Sequence, residues 1–451
     1  MSRCIAIVVV VVAVGASPVG AAVVEIGPGG DLQAAVNAMG PGDTLVLQGG
    51  TYTLTSRFSV QVACTASSPC EIRAKPGEVP VLHRPLANQN IVDVEFSHHL
   101  AFIGIEFTGG SRGVRIREAT FITLEGCHIH DTGDAAVTAN DAGSAYEGLR
   151  FLRNHIHHTD NTGEGMYLGC NYAACEMFSS VIEGNWIHDT NGPTVSQGDG
   201  IEIKEGSWGN VVRDNVIHDT GYPCILTYST VGNGGPNVIE RNLMWGCGDH
   251  AIQAAADAVI RNNIILGATA DGIRNQLHQS GTPSNLEITH NTVLAPTGNA
   301  VRSSGITGPV LIANNALYAQ SGYALRVDGD LSQVTIEGNV GTGATLGVSG
   351  GWDGSGSLAT DFVAASYSGA LPQDPFPASG SELIGVAYAT WLAAEDFNRR
   401  ARVSPGDVGA YRFEAGGNPG WPLAAGFKPT GWIFGNGFEM GHVLAWSSTT
   451  P

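Results

Sequence analysis

Lysine is scarce in this 451-residue chain, which carries only Lys75, Lys204 and Lys428. Lys204 alone lies in the middle of the chain, in Asp199-Gly-Ile-Glu-Ile-Lys204-Glu-Gly-Ser-Trp-Gly-Asn210. An amine set among carboxylates can move a proton if its surroundings free the neutral form. Glu202 and Glu205 beside it also allow a plainer account, a solvent-facing ion pair. A second group is periodic. His130, His157, His188 and His218 recur at one position of four similar lines of sequence, followed by Asp131, His158, Asp189 and Asp219. Imidazoles in a column can bind a transition metal, with His188 and His218 as the candidate ligands, or form acid–base pairs with Asp. The same residue types also satisfy backbone groups in turns. Arg274, Arg302 and Arg326 form a third column, suited to acidic sugars or to solvent.

The element that must position these residues is a repeat. Asn-x-Ile-His-Asp/His-Thr occurs at Asn154–Thr159, Asn185–Thr190 and Asn215–Thr220, and Cys127–Thr132 is a copy with Cys in the Asn slot. The slot continues through Asn242, Asn263, Asn291, Asn315 and Asn339, at intervals of 21 to 31 residues. A unit this short cannot bury its apolar face alone and must stack on its neighbours. Its strand–turn–strand pattern and the 62 Gly residues of the chain point to an all-β fold, a right-handed parallel β-helix. The slot residues should stack as an Asn ladder, about 4.8 Å per rung. Two residues before the slot stand Glu183, Arg213, Glu240 and Arg261, alternating in charge as a cross-strand ion-pair ladder should. Alternation along the second strand of each coil turns Ile201 and Ile203 inward and Glu202 and Lys204 outward. Tyr167, Tyr228 and Trp208 fall close enough in register to offer stacking surfaces for a pyranose. Glu164 and Asp199 border the same face, flanked by the longest loops, where solenoids form grooves.

The ends are read as follows. Residues 1–22 resemble a secretory signal, with Arg3, an apolar run from Ile5 to Val14 and Gly20-Ala21-Ala22; a short membrane anchor is the alternative. No other run is long and apolar enough to span a bilayer, so no stable membrane insertion is expected. Asp31 to Met39 forms a short capping helix with Asp31 at its N-cap. The β-helix with this cap covers 23–348 and its coils begin near Val46. A closing segment covers 349–414, a Gly/Pro linker 415–430, and a short F-x-x-G-F-E-like tail 431–451. Cys64–Cys70 and Cys170–Cys175 are expected as local disulfides, with metal ligation as the alternative; Cys127, Cys224 and Cys247 are expected as buried thiols. Acids exceed bases, 22 − 41 giving −19, which argues against nucleic-acid binding. A monomer is expected, secreted or periplasmic or held at the cell surface.

Asp-Gly-x-x-x-Lys followed by Gly-Asn resembles the lysine-base pectate lyases, which are right-handed parallel β-helices. The resemblance implies that Lys204 is the base and Asp199 a calcium ligand, with Glu164 at its border. It also implies calcium as a cofactor and a polysaccharide as the partner. The expected function is that of a secreted polysaccharide lyase acting on a uronic-acid-containing polymer by β-elimination, with Tyr167, Glu202, Trp208, Tyr228, Arg274 and Arg302 against the sugar. One departure stands out. That family places an Asp-Asp-Gly-x-Asp cluster in the next coil, where this chain has His218-Asp-Thr-Gly-Tyr-Pro-Cys224. The rival reading is a non-catalytic exported β-helix module that binds glycan or metal, either a surface protein or one related to periplasmic copper-accessory factors.

Overall fold

The computed structural model describes residues 21–429. The expected signal segment falls almost wholly outside the described residues, and the 431–451 tail wholly so. The chain coils as a right-handed parallel β-helix. One sheet of 13 parallel strands runs from Val23–Ile26 to Val334–Glu337. The other strands of each coil stack in two further columns. The first contains His128–Thr132, His155–Thr159, Trp186–Thr190, Val216–Thr220 and Leu243–Cys247. The second contains Val137–Ala139, Met166–Leu168, Ile201–Ile203, Ile225–Thr227, Ile252–Ala254, Ile273–Asn275 and Val301–Ser304.

Inward side chains of the three columns form one continuous core of Val, Ile, Leu and Phe. The coils begin earlier than Val46. Val23–Ile26 pairs with Thr44–Leu47, and the helix Leu32–Asn37 sits between those two strands. Asp31 accepts from Ala34 N at 2.9 Å, capping the helix. Leu32 and Val36 enter the core, so this short helix closes the first coil.

The Asn slot is a ladder. From Asn154 through Asn185, Asn215, Asn242, Asn263, Asn291 and Asn315 to Asn339, each Nδ2 donates to the next Oδ1 at 2.9–3.0 Å. The same oxygen accepts the preceding Asn backbone N–H, and Cys127 N opens the series on Asn154 Oδ1 at 3.0 Å. The buried Cys127 thiol is free, and burial pushes its pKa up to about 12. Beside the ladder, Arg213 pairs with Glu183 and Arg261 with Glu240, each at 2.8 Å.

Three disulfides are formed among the described residues. Cys64–Cys70 and Cys170–Cys175 are as expected. Cys224–Cys247 corrects the reading of these two as thiols. The reason lies in the turn between the two strand columns. Thr132, Thr159, Thr190 and Thr220 turn their hydroxyls into it and donate to carbonyls a few residues on. Cys247 replaces Thr in that column, aligned with Thr220, and Cys224 faces the same turn one coil earlier.

Residues beyond the coils run along the side of the solenoid. The outward position of the first column reads His128, His155, Trp186, then Val216, Leu243 and Ile264. It turns apolar where Phe362, Phe376, Leu383, Phe397 and Tyr411 cover it. Charge fixes this cover. Buried Asp214 bonds Arg399 at 2.7 Å and Lys428 at 2.8 Å, and Arg402 reaches Asn262 at 3.0 Å.

Candidate functional site

The site is built on three adjacent coils of the second column. Asp199 and Glu164 hold equivalent places just before their strands: Ala136 N donates to Glu164 O, and Gly165 N to Asp199 O. The glycine after each acid is required by packing. A Cβ on Gly200 would lie 2.5 Å from Cys224 O and 2.6 Å from Ile217 Cγ2. Glu202 follows two residues later, its side chain outward between the inward Ile201 and Ile203. One ligand oxygen each from Glu164, Asp199 and Glu202 falls within a mutual 4.8 Å.

All three acids are buried, at 0–1% exposure. Glu164 Oε2 accepts from Thr162 at 2.6 Å, whereas Glu164 Oε1, Asp199 Oδ1 and Glu202 Oε2 have no hydrogen-bond partner. Burial, then the charges of Glu202 and Glu164, raise the pKa of Asp199 well above the usual carboxylate range. Burial likewise raises Glu164. With Lys204 the ionised set sums to −2, and unpaired buried charge is costly. An all-oxygen set with that deficit fits a hard divalent cation such as calcium.

Lys204 points outward as expected but is covered, only 5% exposed. Its Nζ donates to Glu202 Oε1 at 2.5 Å and to Tyr228 OH at 3.1 Å. It lies 4.6 Å from the ring centre of Tyr167 and 4.8 Å from that of Tyr228. Burial, then Glu202, raises the pKa of both phenols, so they stay neutral and can donate. Tyr228 OH gives its proton to Glu202 Oε1 at 3.0 Å.

An arm from a later coil closes over this cluster. His278 stacks on Tyr228 and its Nε2 meets the hydroxyl at 2.9 Å. Ser280 donates to Glu205 through both its backbone N–H and its hydroxyl. Gln279 bonds Asn171 and the Tyr172 N–H in the disulfide-closed Cys170–Cys175 loop. His278 had no signal in the sequence, because it meets Tyr228 across 50 residues.

Other expected residues lie apart from the cluster. Trp208 stacks on Phe178 at 5.0 Å, in the turn after the Lys204 strand. Arg274 and Arg302 continue the outward row of Glu202, beyond Leu226 and Gln253. Arg274 bonds Gln276 and Ser304 and leaves Nη1 unpartnered, while Arg302 pairs with Asp328 at 3.0 Å.

The histidines stack one strand earlier. His188 and His218 are 4.9 Å apart and nearly parallel. Asp131, His158, Asp189 and Asp219 adopt φ near +52°, the left-handed turn that Asp, Asn and His tolerate. Each takes the Nδ1 of its neighbouring column histidine at 2.5–2.8 Å. The turn-forming role of this pair of columns is thus real. A second histidine row, His128 and His155, stands beside the first and is continued by Trp186. Burial and the neighbouring imidazoles lower the pKa of both His155 and His157 to about 3.

The chain is a parallel β-helix that carries a buried acid-and-lysine cluster on one strand column. Residues 17–259 match the Pel9A-like right-handed β-helix region, and residues 179–340 match a general right-handed β-helix region. The chain belongs to the Pel9A-like right-handed β-helix family. Pectate lyase PEL9 of Emericella nidulans is 30% identical over 103 residues, 20% of this chain and 25% of that protein. This chain therefore spans only about a quarter of that curated relative. The crystal structure of pectate lyase Pel9A shares the fold, with TM-score 0.52 and 17% identity over 86% of this chain and 96% of that one. An alginate lyase from Paenibacillus sp. str. FPU-7 overlaps with TM-score 0.41 and 22% identity, over 74% of this chain and 98% of that one.

Proposed function

We propose that the protein is an exported, calcium-dependent polysaccharide lyase that cleaves a uronic-acid-containing polymer by β-elimination over Lys204. The observation that carries this reading is the trio of buried, unpartnered oxygens on Glu164, Asp199 and Glu202 beside the one lysine of the central coils. These three residues would hold the cation, which when bound neutralises the uronate carboxylate and so acidifies the proton at C5. Lys204 Nζ, oriented by Glu202 and Tyr228, takes that proton in its neutral form. The electron pair forms the C4–C5 double bond, and the bond from C4 to the leaving oxygen breaks with its electrons on that oxygen, which takes a proton from water and departs as the hydroxyl of the other fragment. Arg274 and Arg302, about 14 and 19 Å along the row at the usual strand spacing, contact acidic sugars further down the chain. The three disulfides support export to an oxidising compartment.

One observation favours a second reading. Lys204 is enclosed by Tyr167, Tyr228 and the arm carrying His278, so catalysis requires that arm to lift. A glycan-binding module needs no such movement. The two readings part in one assay. Pectate, alginate and glycosaminoglycans are followed in the ultraviolet for the unsaturated product, with and without calcium. Calcium-dependent absorbance on one of them supports the lyase; binding of a polymer with no product supports the module.

A further inference from the structure

We propose that His128, His130 and His157, with Glu106 beside them, bind a divalent first-row transition metal of the zinc–copper class. One ring nitrogen from each of the three histidines falls within a mutual 4.8 Å. The residues come from neighbouring strands: Glu106 aligns with His128, and His130 with His157. The site is separate from the oxygen cluster around Asp199 and of opposite softness.

Hydrogen bonding decides which nitrogens are free. His130 Nδ1 lies 2.8 Å from Asp131 Oδ2 and so carries a proton, which leaves Nε2 as the nitrogen that can face a metal. Nε2 lies 3.3 Å from Glu106 Oε1, a contact that either a second ring proton or a cation between the two fills. The Asp131 carboxylate behind the ring is the usual outer partner of a metal-bound histidine. His128 Nε2 and His157 Nε2 stand 2.8 Å apart and can share only one proton. On a tetrahedral zinc, with nitrogens about 2.05 Å from the metal, they would be about 3.3 Å apart, so a shift of about half an ångström seats both.

The rings are held in place for this. His128 stacks on His155 at 4.6 Å and 4°, and His155 on Trp186 at 4.1 Å and 1°. The side chain of His128 is 36% exposed, which leaves a way in. The same pattern two coils on cannot serve. Trp186 stands there in the place of His128, and its indole N–H occupies His218 Nε2 at 3.0 Å. The geometry therefore moves the metal candidate from His188 and His218 to the earlier coils. Three imidazoles and a carboxylate select zinc or copper over calcium.

The test uses the full chain stripped with a chelator and titrated with zinc chloride, and separately with copper chloride, in millimolar calcium. Calorimetry and elemental analysis should find one ion per chain that calcium does not displace. His130→Ala and His157→Ala should abolish it, His218→Ala should keep it, and Asp131→Asn, which acts only through His130, should weaken it by about 10- to 100-fold. Cobalt(II) should give the visible absorption of a four-coordinate site. On the unaltered chain, zinc should protect His128, His130 and His157, but not His99, from diethyl pyrocarbonate, so the result does not depend on any variant folding. No uptake of either metal, or uptake retained in both His130→Ala and His157→Ala, overturns the proposal. Loss in His218→Ala with retention in His130→Ala overturns it equally.

Discussion

Replacing Asn215 by Ala should cut the solenoid at its centre. Asn215 is fully buried and makes four side-chain hydrogen bonds. Its Oδ1 accepts Asn185 N and Asn185 Nδ2, and its Nδ2 donates to Ile182 O and Asn242 Oδ1, all at 2.9–3.0 Å. Asn185 Nδ2 keeps Phe151 O, and Asn242 Oδ1 keeps Asn215 N. Asn185 N loses its partner outright, whereas Ile182 O keeps the strand-ladder bond that the parallel register gives it from Arg213 N. One stranded backbone group at about 1–3 kcal/mol, plus three weakened groups at about 0.5–1.5 kcal/mol each, gives roughly 2–5 kcal/mol after allowing for water entry. Asn339→Ala, at the end of the ladder, strands Asn315 N in the same way and should cost a comparable amount. Thermal unfolding gives both losses. Hydrogen exchange should localise the damage to peptides spanning 181–216, since coils of a solenoid are coupled chiefly to their neighbours. A loss below about 1 kcal/mol at either site would refute the ladder as the source of this stability.

Three further outcomes follow from the structure. Cys224 and Cys247 should be recovered as one linked peptide pair without reduction, and Cys224→Ser with Cys247→Ser should cost about 3 kcal/mol, the loop term for a bridge spanning 23 residues. Burial would raise Asp214, but Lys428, Arg241 and Arg399 outweigh it and lower its pKa to about 2. A carboxylate depressed in the folded state adds stability that is full above its unfolded value near 3.9 and is lost as pH falls through 2. The stability difference between the native chain and Asp214→Asn should therefore shrink by about 2 kcal/mol between pH 5 and pH 2, and an unchanging difference contradicts the ion cluster. Calcium at about a hundred times its dissociation constant should stabilise the native chain by about 2.7 kcal/mol and leave Asp199→Asn unmoved, as read by unfolding midpoints.

The fold was legible because its signal is repeated. Each Asn-x-Ile-His-Asp-Thr line states the same turn, the same inward Ile and the same ladder, and the structure returns the Asn column and the Glu183–Arg213 pairing in that register. The site was legible in part. Alternation gave Glu202 and Lys204 one outward face, but outward in a coil is not exposed, and Lys204 lies beneath Tyr228 and His278. Glu164 reaches Asp199 because the two precede equivalent strands in adjacent coils, a relation that emerges once Glu164-Gly165-Met166 is aligned with Asp199-Gly200-Ile201. The Cys224–Cys247 bond is not legible as a local pair, because the Cys247 column, held elsewhere by Thr, faces the turn that Cys224 reaches from the coil before. The arm over Lys204 leaves no local pattern, since it is set by contacts 50 to 108 residues apart.

The most direct test of the central claim compares the native chain with Lys204→Ala and Asp199→Asn on the polyuronate found active in the substrate panel. Product is followed by ultraviolet absorbance, with calcium and with chelator. The account predicts turnover in the native chain that chelator removes, at least about a hundredfold less in Lys204→Ala, and loss in Asp199→Asn of the turnover that calcium restores to the native chain, with the circular dichroism of all three alike. Undiminished turnover in Lys204→Ala, or turnover indifferent to calcium, would contradict it.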